Sequence, residues 1–173
     1  MSRASHQDEV FLRPGEHHVG DAGCRIRTLL GSCVSITLWS PARRIGGMSH
    51  FLLSTRTHDS EREGALDGRF AEEALSLMLR DLAREGVKAR ECEAKLFGGG
   101  NMFPKQSRSD TMNIGQRNGE FARQLMSARG IQIAAESLFG VGYRQVVFDV
   151  ATGHVWSRLV KPIEAPAHGK VSP

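Results

Sequence analysis

Residues 29–53 read LLGSCVSITLWSPARRIGGMSHFLL. From Cys33 to Trp39 the side chains alternate, with Val34, Ile36 and Leu38 on one side and Cys33, Ser35 and Thr37 on the other, the period-two pattern of a half-buried β-strand. Pro41 presets the φ angle of a turn in SPAR, and IGGMSHFLL resumes as a second strand, so the stretch reads as a hairpin. With Ser40–Arg43 as its loop, Trp39 faces Arg44 and Leu38 faces Ile45, and the same register sets Cys33 opposite His50. Directly opposed Cβ atoms stand about 4.5–5.5 Å apart, near enough for a thiol and an imidazole to interact, whereas a one-residue slip would send the two to opposite faces.

Working outward, Arg25–Leu29 suits another strand. Downstream of a polar loop, Ala71, Ala74, Leu75, Met78 and Leu82 form one helical stripe that ends at Gly86. EAKLF is a short strand running into GGGN, and Asn118–Arg129 reads as a second amphipathic helix, with Asn118 at its N-cap, Phe121, Ala122, Leu125 and Met126 inward, and Gly130 as its stop. Strands return at Ile131–Leu138, Arg144–Val150 and His154–Val160. Grouped strands with two helices indicate an α+β fold rather than strict βαβ winding.

The chain has 173 residues, 40% hydrophobic and 24% charged, values of a globular domain rather than of a disordered or membrane protein. The expected organisation is a single domain over residues 10–161, with residues 1–9 and the proline-bearing residues 162–173 as tails. The net charge of +4 is spread among acidic residues, and one Tyr and two Trp offer no platform for stacking bases, which argues against nucleic-acid binding. No apolar run approaches the ~20 residues of a membrane span. The polar start MSRASHQDE lacks a secretory h-region, so a cytoplasmic location without membrane insertion is expected. Cys24, Cys33 and Cys92, odd in number and irregular in spacing, are expected as free thiols.

A cysteine and a histidine brought together can attack a carbonyl carbon, the sulfur forming a thioester and the imidazole passing a proton to the leaving amine. His50 as imidazolium, or backbone N–H groups of the Gly31-Ser32 corner aimed at the sulfur, would favour the thiolate of Cys33. Each residue taken singly also has a plain reading, Cys33 as a small core residue and His50 as a hydrogen-bonded structural group. FGGGN at residues 97–101 lacks the Gly-Lys-Ser/Thr ending of a phosphate loop and reads as a tight corner. In NIGQRN, Arg117 is a candidate to position a neighbouring loop. His17, His18 and Cys24 are close in sequence but lack metal-ligand spacing, so neither a metal nor a cofactor is expected.

LLGSCVSITLWSP, GGMSHFLL, AKLFGGGNMF, NIGQRN and VVFDVATGHVW occur in the order seen in CheD, the chemoreceptor glutamine deamidases of bacterial chemotaxis, and the chain resembles that family from about residue 15 to 160. The resemblance implies hydrolysis of glutamine side-chain amides on methyl-accepting chemotaxis receptors, giving glutamate and ammonia. It places the nucleophile on Cys33 and the histidine on His50, with backbone N–H groups around Gly31, Ser32 and Cys33 steadying the oxyanion. The family also orients its histidine with a threonine shortly before the cysteine. Thr28 is the nearest match, one residue closer to the cysteine than the family pattern, which falls on Arg27, and Ser54 stands where many members have proline.

The implied fold is an αββα layered sandwich similar to the catalytic domain of cytotoxic necrotizing factor toxins. The implied partners are the helical cytoplasmic region of the receptors and, in some bacteria, a CheC-type phosphatase. Residues 104–111 or 55–68 are candidate borders of the docking surface. A non-catalytic adaptor and a different cysteine acyl transfer, such as transglutamination or peptide hydrolysis, stand as alternatives.

Overall fold

The computed structural model describes residues 7–56, 64–104 and 111–163. In chain order these form β1 (Asp8–Phe11), β2 (His17–Gly20), β3 (Cys24–Leu30), β4 (Val34–Ser40), β5 (Ile45–Ser49), α1 (Ala71–Arg84), β6 (Glu93–Gly98), α2 (Thr111–Ala128), β7 (Ile133–Leu138), β8 (Tyr143–Asp149) and β9 (Val155–Val160). The architecture is α+β. One sheet runs β1-β3-β8-β9, the other β2-β5-β4-β6-β7, and the β1/β3 and β6/β7 pairs are parallel within otherwise antiparallel ladders.

β4 lies at the centre of both cores. Val34, Ile36 and Leu38 face the helices, packing with Ala71, Leu75, Met78 and Leu82 of α1 and with Ala122 and Met126 of α2. On its other face Cys33 and Trp39 join Met48 and Phe97 against Ile26, Leu30, Val146 and Phe148 of the four-stranded sheet. The strand is therefore buried on both sides rather than half-buried: Ser35 and Thr37 look at a second sheet, not at water. Small polar side chains on an inter-sheet face mimic the pattern of a solvated one.

The hairpin register differs from the expected one. Ser40 pairs with Ile45, Leu38 with Gly47 and Thr37 with Met48, and an isolated bridge joins Val34 to Phe51. Arg44 belongs to the loop, with a left-handed φ of 52° and its N–H donated to Ser40 O at 2.8 Å. His50 thus stands opposite Ser35, and Cys33 opposite Leu52, as the same ladder continues. The displacement is an even number of residues, so Cys33 and His50 keep a common face, the one between the sheets.

Both helices pack on the five-stranded sheet. Among the described residues no helix covers the outer face of the four-stranded sheet, where Phe11, Leu29 and Trp156 stand about half exposed at 56%, 48% and 52%, so the second helical layer of an αββα sandwich has no counterpart there. β1 takes in Asp8 and Glu9, assigned above to the tail; its side chains are mostly exposed, and a parallel ladder on β3 holds it. Of the tails, residues 1–6 and 164–173 lie outside the described residues, as do residues 57–63 and 105–110 of the two suggested docking borders.

α2 begins at Thr111, so Asn118 lies inside the helix and is no N-cap. Glycine lowers helix propensity, but here it permits close approach. A Cβ on Gly115 would sit 2.6 Å from the carbonyl oxygens of both Gly99 and Gly100, and one on Gly119 would overlap the Phe139 ring. The helix thereby presses directly on the triglycine corner.

Candidate active site

Cys33 enters β4 from a turn whose carbonyls are all engaged. Gly100 N–H donates to Gly31 O at 2.9 Å, Gly99 N–H to Cys33 O at 2.9 Å, and Asn118 Nδ2 to Ser32 O at 3.1 Å. The corner can do this because Gly98 and Gly99 take φ of 114° and 64°, open to glycine at little cost. Among the described residues neither Ser32 N–H nor Cys33 N–H is taken by another backbone or side-chain acceptor, and the Cys33 N–H favours the ionised form of its own sulfur. The thiol is half-buried, and that burial, the larger influence, raises its pKa. Gly31 lies under Met102, whose Cγ would be 3.0 Å from a Cβ at that position.

His50 is 3% exposed and held at both its backbone groups, its N–H donating to Glu16 O at 3.0 Å and its carbonyl accepting from Gly15 N–H at 2.8 Å. Nδ1 lies 2.8 Å from Thr28 Oγ1, across the gap between the sheets. The Thr28 hydroxyl spends its single proton on Leu12 O at 2.9 Å, so toward the ring it offers only lone pairs, and Nδ1–H must be the donor. That assigns the tautomer: Nε2 carries the free lone pair, and it is buried without a hydrogen-bond partner. Burial lowers the imidazole from 6.5 to about 4, partly offset by the Leu12 carbonyl and the charge of Glu16.

These shifts correct one expectation. Desolvation pushes thiol and imidazole toward their neutral forms, so an imidazolium does not stabilise a resting thiolate. No hydrogen bond joins Cys33 Sγ to the ring; catalytic contacts of this kind tighten when substrate binds. The arrangement suits a general base that accepts the thiol proton as the sulfur attacks.

Of the other candidates, Arg117 is exposed, with no hydrogen-bonded partner among the described residues, which gives no support to a loop-positioning role. His17 Nε2 is instead 2.8 Å from Asp81 Oδ2, anchoring β2 to α1. Among the described residues no group of three His, Cys, Asp or Glu is placed to hold a metal ion, and Cys24, Cys33 and Cys92 are free. No described helix is long and apolar enough to cross a membrane. Sequence reasoning missed the reach of Asn118 into the turn; the signal was an amide-bearing residue flanked by glycine in a segment that also had to contact GGGN.

The chain matches the family model described as CheD chemotactic sensory transduction over residues 52–159, a stretch that begins just after His50. It is 56% identical over 163 residues to "Probable chemoreceptor glutamine deamidase CheD 2" of Albidiferax ferrireducens, covering 94% of each chain. It is 47% identical to "Probable chemoreceptor glutamine deamidase CheD 3" of Dechloromonas aromatica, covering 98% of this chain and all of that one. Among solved structures, the Bacillus licheniformis hypothetical protein YfiH aligns with a TM-score of 0.38 at 14% identity, over 66% of this chain and 47% of that one, too distant to bear on the fold. With a family match across more than half of its length and such relatives over nearly all of it, the chain belongs to the CheD family.

Proposed function

We propose that this protein hydrolyses glutamine side-chain amides on chemoreceptors, with Cys33 as nucleophile, His50 as general base and acid, and Thr28 as the group that orients His50. The observation that carries the reading is the Thr28–His50 contact, which leaves Nε2 bare on the face that Cys33 shares. Nε2 takes the Sγ proton as sulfur attacks the carboxamide carbon, and the Ser32 and Cys33 N–H groups receive the oxyanion. His50 then protonates the departing ammonia, leaving a thioester. Water, deprotonated by the same Nε2, cleaves it and releases glutamate.

The names of the relatives support chemoreceptors as substrate; a cytoplasmic setting beside the receptors' helical region belongs to the same proposal. The expected single domain over residues 10–161, extended to Asp8 by the β1 ladder, is supported by β4, which belongs to both cores. The two face-packed sheets with one helical layer supply three of the four layers of the cytotoxic necrotizing factor sandwich, which supports kinship with that fold.

Mass spectrometry of a receptor cytoplasmic fragment incubated with the protein is expected to show glutamine-to-glutamate conversion with equimolar ammonia. A folded preparation that converts no glutamine overturns the reading, and incorporation of an added amine in place of water would assign transglutamination. Thr28→Val keeps the side-chain shape but lets the ring rotate, and is expected to lower kcat about tenfold to a hundredfold, whereas Thr28→Ser retains most activity. Equal kcat for Thr28→Val and the parent protein would remove Thr28 from the mechanism.

A further inference from the structure

We propose that Asn118 is a positioning residue that aims the Cys33 backbone N–H at the oxyanion; the assignment rests on the Cys33 hydrolase reading above. Asn118 is 1% exposed, on the face of α2 pressed against the nucleophile turn. Its Nδ2 donates to Leu52 O at 2.7 Å and to Ser32 O at 3.1 Å, and its Oδ1 accepts from Ser54 Oγ at 3.2 Å. Two carbonyl acceptors on one side of the amide, and a hydroxyl on the other, fix which end is nitrogen.

The contact lies where the hairpin ladder stops. Val34 and Phe51 exchange both backbone hydrogen bonds, at 3.1 and 3.0 Å, and form the last rung. Beyond it Ser32 and Leu52 carry carbonyls that Asn118 joins through a single NH₂ group, a side-chain rung that ties the turn before Cys33 to the segment after His50. Within a planar trans peptide, C=O and N–H point in opposite directions. Holding Ser32 O toward α2 therefore holds the Cys33 N–H away from it, against the sulfur. The adjoining peptide obeys the same rule: Gly100 N–H on Gly31 O sets the direction of the Ser32 N–H. The two oxyanion donors are thus aimed by their own peptide carbonyls, one through the triglycine corner and one through Asn118.

Asn118→Asp preserves shape and the Ser54 contact while removing both donors. Two rates separate positioning from general loosening: turnover of a receptor cytoplasmic fragment, which passes through an oxyanion, and alkylation of Cys33 by iodoacetamide, which does not. Because the Cys33 N–H also favours the thiolate, the alkylation rate is compared as its limiting value for the fully ionised thiol, taken from its pH profile. Asn118→Asp is expected to lower kcat about a hundredfold, with KM and the alkylation rate within about threefold of the parent protein. Asn118→Ser, smaller and uncharged, is expected to show the same split should the buried carboxylate prevent folding, and Ser54→Ala, which keeps both donors, is expected to stay within about threefold in kcat. Turnover unchanged in the Asn118 variants, or turnover and alkylation falling together, overturns the proposal. A parent protein that leaves receptor glutamines intact instead overturns the hydrolase reading itself.

Discussion

Cys33→Ala is expected to reduce conversion of receptor glutamines by at least about 10³-fold, because without the sulfur no thioester forms and water must attack the amide directly. The fold should tolerate the change. Cys33 is half-buried at the mouth of the inter-sheet core, and losing one thiol there costs on the order of 1 kcal/mol. Mass spectrometry of the receptor fragment and a thermal melt of the variant together check both halves. Cys24→Ala and Cys92→Ala serve as controls: both thiols are buried, that of Cys92 pushed up to about 11 by desolvation, and neither loss should affect turnover. In cells the same variant separates catalysis from scaffolding. If Cys33→Ala leaves adaptation unchanged, the protein acts as an adaptor for the receptor or a CheC-type phosphatase.

Much of this site was legible because β4 announces itself, yet the details that make it chemical were not. The alternation from Cys33 to Trp39 found the strand and the shared face of Cys33 and His50, but not the rung. Pro41 signals where a turn begins; nothing in the residue type of Arg44 signals that it adopts a φ of 52° and lengthens the loop. β1 and β2 escaped notice for a different reason: edge strands with exposed or half-exposed side chains carry no hydrophobic period, and their ladders do the holding.

The second helix shows how a local rule misleads. Asn and Gly in NIGQRNG disfavour a helix interior, so the local rule starts the helix only at the apolar stripe further on. Tertiary packing wins instead, because only glycines let α2 reach the triglycine corner. GGGN and NIGQRN, separate in sequence, are two sides of one brace around the turn that carries Cys33. Thr28 depends on a longer connection still. Its hydroxyl meets His50 only because two sheets pack face to face, and no pattern within either strand encodes that meeting.

His50→Asn is expected to remove activity to the same degree as loss of the sulfur, since among the described residues no other group stands ready to take the thiol proton, and it should also change how stability depends on pH. The folded imidazole titrates at about 4, below its ordinary 6.5, because charging it means placing a cation between the sheets. The unfolded chain thus binds this proton more readily than the folded one. The stabilising contribution is complete above pH 6.5, erodes as the pH falls from there, and is lost once the pH has passed through about 4. Its upper size is about 3 kcal/mol. Carboxylates whose pKa values are lowered in the fold, among them Asp67 and Glu73 beside their arginine partners, also cost stability in acid, so the informative quantity is the difference between parent and variant. Urea unfolding of both proteins at intervals from pH 7.5 to 3.5 should show the parent's stability falling relative to the variant's between about 6.5 and 4. Turnover should keep the same acid limit, with activity persisting at pH 5 and collapsing as Nε2 is protonated near 4. A difference curve that stays flat across that interval would mean that the imidazole is already solvated or charged in the folded protein, and the neutral thiol–imidazole mechanism would have to be abandoned.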